Sequence, residues 1–182
     1  MDADLVVRAQ RGDKGSYALV AGEIADRFLA VARRILRDRD LAEDATQQAL
    51  LRIWQDLPQL RDPARFEAWS YRLLVRACYA EGRREHRWAP NLRVLPMDDS
   101  DADGGLGTVA DRDQLERGFR LISIDHRAVV VLHYYLDKPL DEVASILEIP
   151  VGTAHSRLHH AMRALRAALD ADARRSVREV AR

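Results

Sequence analysis

Cysteine is nearly absent from this chain of 182 residues; Cys78 stands alone. One thiol permits neither an internal disulfide nor a Cys-based zinc site. No apolar run approaches the roughly 18 residues that mark a membrane span. The first residues include Asp2 and Asp4 rather than a basic and then apolar stretch, so no signal peptide is expected. Together these absences lead us to expect a soluble cytoplasmic protein with no membrane insertion. Aromatics make up only 6%, and glycine and proline number nine and six. Such scarcity, with Ala, Leu, Arg and Glu recurring at helical spacing, points to an all-α chain. Net charge is also lacking: 29 basic and 29 acidic side chains cancel. There is no glycine-rich phosphate loop and no nucleophile motif. Glu43 and Asp44 are adjacent, so they point about 100° apart on a helix and make a poor catalytic pair. We expect no enzyme and no cofactor.

What is present is a foldable composition, 47% hydrophobic and 32% charged. The charge is unevenly spread. Residues 155–182 hold seven arginines against three acids, whereas 98–103 holds four aspartates in six positions. Sign asymmetry of this kind is informative where the total is not, although solvated surface runs also arise by chance.

Three segments emerge. Residues 1–88 read as helices throughout. Leu5, Val6 and Ala9 form a short stripe that ends at Arg11-Gly12-Asp13. Leu19, Val20, Ile24, Phe28, Val31, Ala32, Ile35 and Leu36 then recur at spacings of an amphipathic helix. Asp40 is a candidate cap for the next helix, with Glu43 as its capping-box partner. That helix carries Ala45, Ala49, Leu50, Ile53, Trp54 and Leu57, and Pro58 closes it. Asp62-Pro63 is a helix start, followed by Phe66, Trp69, Tyr71, Leu73, Leu74 and Cys78. Residues 89–110 have no period and hold Pro90, Pro96 and three glycines, which is linker chemistry. A structureless run of that length argues for two small helical domains joined by a flexible acidic linker. The second domain spans 111–173, and a basic tail, 174–182, is expected to fray.

Within the second domain a short helix from Leu140 to Leu147 meets the breaker Glu148-Ile149-Pro150. A longer helix follows, with Ala154, Leu158, Met162, Leu165 and Leu169 on one stripe. Short helix, tight turn, longer helix is the helix-turn-helix layout. Its second helix enters the major groove by its N-terminal residues. Thr153, His155, Ser156, Arg157, His159, His160 and Arg163 lie on or beside the polar face and can reach phosphates and base edges. An ordinary helical hairpin with a solvated face would share this pattern. His155 and His159 have the spacing of two metal ligands on one face, but no carboxylate or thiol nearby completes a set, so no metal is expected.

Leu140-Asp-Glu-Val-Ala-Ser-Ile-Leu-Glu-Ile-Pro-Val-Gly-Thr-Ala-His-Ser-Arg-Leu158 resembles the fourth conserved region of extracytoplasmic-function (ECF) sigma factors, members of the sigma-70 family. Pro-Val-Gly-Thr followed by Ser-Arg is its specific part. Leu41-Ala-Glu-Asp-Ala-Thr-Gln-Gln-Ala-Leu-Leu-Arg-Ile-Trp54 is similar to that family's second region. Phe66-Glu-Ala-Trp-Ser-Tyr-Arg-Leu-Leu-Val-Arg76 is similar to the segment that follows it. Two matches in the right order, with a polar linker between them, cover most of the chain.

The resemblance implies a sigma factor that directs bacterial core RNA polymerase to promoters. Asp44, Gln47, Gln48 and Arg52 would dock on the clamp helices of the largest subunit, and the C-terminal domain on the flap. Arg61, Arg65, Phe66, Trp69, Arg72, Arg76 and Arg83 would capture the melted -10 element, where cations meet phosphates and aromatic faces meet bases. For Trp69, at helical spacing with leucine neighbours, core packing is the stronger reading. The helix-turn-helix would read the -35 element, and the acidic linker would thread the polymerase cleft. An anti-sigma protein is the regulator that the family implies. Some positions depart from the family pattern: Ala45, Gln48 and Leu50 replace the usual Leu, Glu and Phe, and Ala77 a common Asn. Glu148 replaces a turn glycine and His155 a basic residue. The rival reading is a homodimeric helix-turn-helix repressor or activator on a palindrome. It leaves the segment from Leu41 to Arg76 with no role beyond dimerisation.

Overall fold

The computed structural model describes the backbone of residues 1–88 and 117–180 and the side chains of 1–84 and 117–170. The expected linker, 89–110, lies outside the described residues. Every regular element among them is helical. Helices α1 (Ala3–Gln10), α2 (Lys14–Leu36), α3 (Arg39–Asp56) and α4 (Phe66–Trp88) form the N-terminal body. After a helical turn at 117–121 come α5 (Ile124–Val130), a π-helical turn (Val131–Tyr135), α6 (Leu140–Leu147) and α7 (Val151–Val180).

Short polar side chains set most of the boundaries. Asp2, Asp13 and Ser123 each accept a hydrogen bond from a backbone N–H in the first turn of α1, α2 and α5, satisfying donors that have no partner within the helix. Asp62 does the same for the 3₁₀ turn Pro63–Arg65 that leads into α4. The cap of α3 differs from expectation. Asp38, not Asp40, accepts from the Leu41 N–H at 2.9 Å. Glu43 makes no capping box; it pairs with Arg39 at 3.0 Å and Arg33 at 3.8 Å. The two aspartates lie on either side of Arg39, and the cap belongs to the one in extended conformation. In the described backbone α7 continues through residues 174–180.

The core of the N-terminal body is formed by Phe28, Ile35, Ile53, Leu57, Tyr71 and Leu74, all fully buried. This apolar cluster does not stop at α4. It runs on into Ala128, Val129, Leu132, Val143 and Ile146 of the C-terminal helices. Gly82 permits one close approach at this seam: a Cβ there would lie 2.9 Å from Ile124 Cδ1. A second, smaller cluster of Ile122, Val130, Ala161 and Leu165 holds α7 against α5.

Candidate nucleic-acid and polymerase interfaces

The turn between α6 and α7 is closed by its backbone. Ile149 N–H donates to Ala144 O at 3.0 Å and Glu148 N–H to Ser145 O at 3.4 Å. This pair of reversed bonds is the Schellman arrangement, which needs a left-handed residue after the helix. Glu148 occupies that position at φ 55°. Glycine would adopt it without strain, whereas a side chain there costs about 1 kcal/mol. Pro150 then starts α7, its carbonyl accepting from the N–H groups of Thr153 and Ala154. Ala154, Ala161 and Leu165 face inward, with Leu158 and Met162 packed beside them. Ala161 extends the stripe and was not singled out from the sequence; alanine carries too weak a hydrophobic signal on its own.

The opposite face of α7 exposes His155, Ser156, His159, His160 and Arg163, with Thr153 half-buried at its start. The Ser156 hydroxyl donates to Thr153 O at 3.0 Å, leaving its lone pairs outward. Arg157 departs from this face: its guanidinium lies 3.1 Å from Asp125 on α5, where it ties the two helices together. The rings of His159 and His160 are 5.8 Å apart, and those of His160 and His126 6.4 Å. Burial, followed by the charges of His160 and Arg157, lowers the pKa of His126. Among the described residues no set of three His, Cys, Asp or Glu is arranged to hold a metal.

On the N-terminal body, α3 turns Ala42, Ala45, Ala49 and Ile53 inward and exposes Asp44, Gln47, Gln48 and Arg52. Leu51 is on this polar face too, 56% exposed. Sequence reading passed over it because it sits next to Leu50, which turns toward the core. Gln48 is not wholly free for a partner, since its amide donates to the buried Glu81 of α4.

The loop between α3 and α4 is pinned from a distance. Gln10, the last residue of α1, donates to Leu57 O at 3.2 Å and Leu60 O at 2.7 Å. Nothing local in the sequence links Gln10 to that loop. Arg61 and Arg65 are exposed on it, Arg65 within 3.6 Å of Asp62. Phe66 does not join them. It is only 2% exposed and packs against Trp69, with ring centroids 6.0 Å apart. As the first residue of α4 it faces inward, away from Arg61 and Arg65. Trp69 is half-buried against the same core, as its leucine neighbours suggested. Arg72, Arg76 and Arg83 follow along α4. Arg72 and Arg76 both reach Glu148 of the helix-turn-helix.

A helix-turn-helix with an exposed polar recognition face, joined to a helical body that carries an arginine-rich helix, defines a DNA-reading transcription protein. Comparison with known families makes this definite. Residues 22–88 match the model for sigma-70 region 2, and residues 113–165 match that for sigma-70 region 4. The chain is 32% identical to the ECF RNA polymerase sigma factor SigL of Mycobacterium tuberculosis, over 76% of this chain and 80% of that one. It is 27% identical to the RNA polymerase sigma-H factor of Pseudomonas aeruginosa, over 92% and 93% of the two chains. Among solved structures, the sigma factor RpoE of Bartonella quintana, in complex with the anti-sigma factor NepR, has the same fold. Its TM-score is 0.67 at 19% identity, over 86% of this chain and 98% of that one. The chain belongs to the ECF sigma factors of the sigma-70 family and is an RNA polymerase sigma factor. Nothing in these matches favours the homodimeric repressor. No helix among the described residues is long and apolar enough to cross a membrane.

Proposed function

We propose that the chain divides promoter recognition between its two helical regions, 1–88 and 111–173, with core polymerase docked on α3. The observation that carries this reading is the exposed face Asp44, Gln47, Leu51 and Arg52, on a helix whose other face is fully committed to the core. An acidic and an amide group around one exposed leucine suit a helical partner: the leucine supplies the apolar anchor and the rim supplies register. The clamp helices of the largest polymerase subunit are that partner, and the flap receives the C-terminal region.

Arg61 and Arg65 on the Gln10-pinned loop, with Arg72, Arg76 and Arg83 on α4, contact the melted -10 strand through its phosphates. Thr153, His155, Ser156, His159, His160 and Arg163 face the -35 duplex. Each half binds weakly alone, and tethering on polymerase raises the joint affinity through effective concentration. The protein does no chemistry of its own; core polymerase supplies catalysis, in the cytoplasm. An anti-sigma protein controls access to these surfaces.

Transcription from a promoter library by core polymerase plus the purified chain tests the reading. Initiation at a shared pair of upstream elements supports it. Duplex binding as a dimer, without initiation, would favour a repressor instead.

A further inference from the structure

Glu148 is the residue on which two observations converge. It occupies the left-handed turn position at φ 55°, where glycine fits without strain. Its carboxylate also crosses to the N-terminal body, where it meets Arg72 Nη1 at 3.4 Å and pairs closely with Arg76. Arg72 adds a second link, donating to Ser145 O at 3.1 Å. Beside this pair, Lys138 bridges Glu67 of α4 at 3.2 Å and Glu142 of α6 at 2.9 Å. A further contact joins α2 to the π-helical turn, where the Arg34 guanidinium lies 3.9 Å from the centre of the Tyr135 ring. Ion pairs of Glu148 and Lys138 therefore accompany the apolar seam between α4 and the helix-turn-helix.

We propose that Glu148 is an intramolecular competitor for promoter DNA: it clasps Arg72 and Arg76 in a closed form of the free protein. The inference rests on the reading of α4 as a strand-contacting helix and adds to it a control over when that helix is available. A strand phosphate and the Glu148 carboxylate are both oxyanions seeking the same two guanidinium groups. They cannot both hold them. Opening the seam frees the arginines and, in the same movement, frees the helix-turn-helix to reach a distant element. Affinity for DNA is then reduced by the fraction of molecules that are closed. Because the pairs are partly exposed, the clasp is weak enough for polymerase and DNA to open it. Salt loosens it for the same reason.

The test measures closure and DNA binding separately on the full chain. Glu23→Cys and Ala167→Cys give exposed labelling sites, one on each body. Native Cys78 stays out of the labelling, since it is fully buried and burial pushes its thiol up to about 12. Fluorescence energy transfer between the labels, without DNA or polymerase, should show one compact population for the parent protein at low salt. Glu148→Gln and Glu148→Gly should both shift it to longer, broader distances, glycine doing so without loss of thermal stability. The charge reversal Glu148→Arg should open the molecule further, and adding Arg76→Glu should reclose it. In parallel, both neutral variants should bind a fluorescent single-stranded oligonucleotide about five-fold more tightly than the parent, as expected for a weak, partly exposed pair. Asp141→Asn, exposed on α6, removes the same charge without touching the clasp and should give a markedly smaller gain.

Unchanged transfer in Glu148→Gln and Glu148→Gly, with DNA gains equal to that of Asp141→Asn, overturns the proposal. If closure responds as expected but no variant, nor the parent, directs core polymerase to initiate, the clasp stands and the promoter assignment of α4 is what fails.

Discussion

The two helical regions are built on different scales. The N-terminal body supplies Phe28, Ile35, Ile53, Leu57, Tyr71 and Leu74 to the core, and among the described residues only Leu132 and Ile146 of the largest fully buried side chains belong to the C-terminal region. The first region can therefore close a core of its own, whereas the second adds Ala128, Val129, Leu132, Val143 and Ile146 to a cluster that it shares with α4. Small domains bury proportionally less surface and gain more from a neighbour. The packing of the smaller body is therefore partly lent by the larger one.

Mutations can break this comparison in order of size. Phe28→Ala should cost about 3–5 kcal/mol and unfold the whole chain early in a urea titration, because it empties the larger core. Leu132→Ala should cost about 2–5 kcal/mol. Its effect should be regional: hydrogen exchange should quicken in α5 to α7 while α1 to α3 keep their protection. If Leu132→Ala instead loosened α2 and α3 equally, the regions would form one cooperative unit and the contrast would be wrong. His155→Ala should weaken duplex promoter binding by about 1–3 kcal/mol, as loss of a base-edge contact does, with little change in melting temperature. Arg157→Ala should do the reverse, lowering stability through the lost Asp125 pair more than it lowers sequence preference.

The smallest effect expected is that of pH on the seam. Hydrogen bonding from Arg76, with the charges of Arg76 and Arg72, holds the Glu148 carboxyl below its ordinary pKa in the folded chain. A lowered pKa means that the pair stabilises the closed form at neutral pH, and this contribution fades as pH falls through the lowered value. Lys138, at the same seam, is raised instead: burial works against its charge, but hydrogen bonds to Glu142 and Glu67 outweigh it. Its contribution is already complete at neutral pH and fades only in strong alkali. A label-distance titration in acid should therefore show opening that Glu148→Gln no longer shows.

Much of this was legible from residue order. The apolar stripe Ala154, Leu158 and Met162 marked the buried side of α7, because a helix period leaves few choices about which side is buried. Asp62 was readable as a cap from the Asp-Pro pair alone. What escaped was decided by tertiary contact. Phe66 sits among arginines in the sequence yet turns into the core. Arg157 belongs to the specific Ser-Arg pair yet is committed to Asp125. Gln10 reaches a loop some fifty residues away. The π-helical turn at Val131–Tyr135 lies within a run that reads as plain helix, and no composition signal marks it. Glu148 was visible as an unusual turn residue, but its partners on α4 were not.

The account depends most directly on α3 being the polymerase-docking surface. Co-elution of the purified chain with core polymerase free of any other sigma factor tests this, with Asp44→Arg compared at equal concentration. Asp44 is exposed and outside the core, so the variant should fold normally. Stable co-elution of the parent chain that Asp44→Arg loses is the predicted result. Retention of the variant on core as firmly as the parent would contradict the assignment of α3.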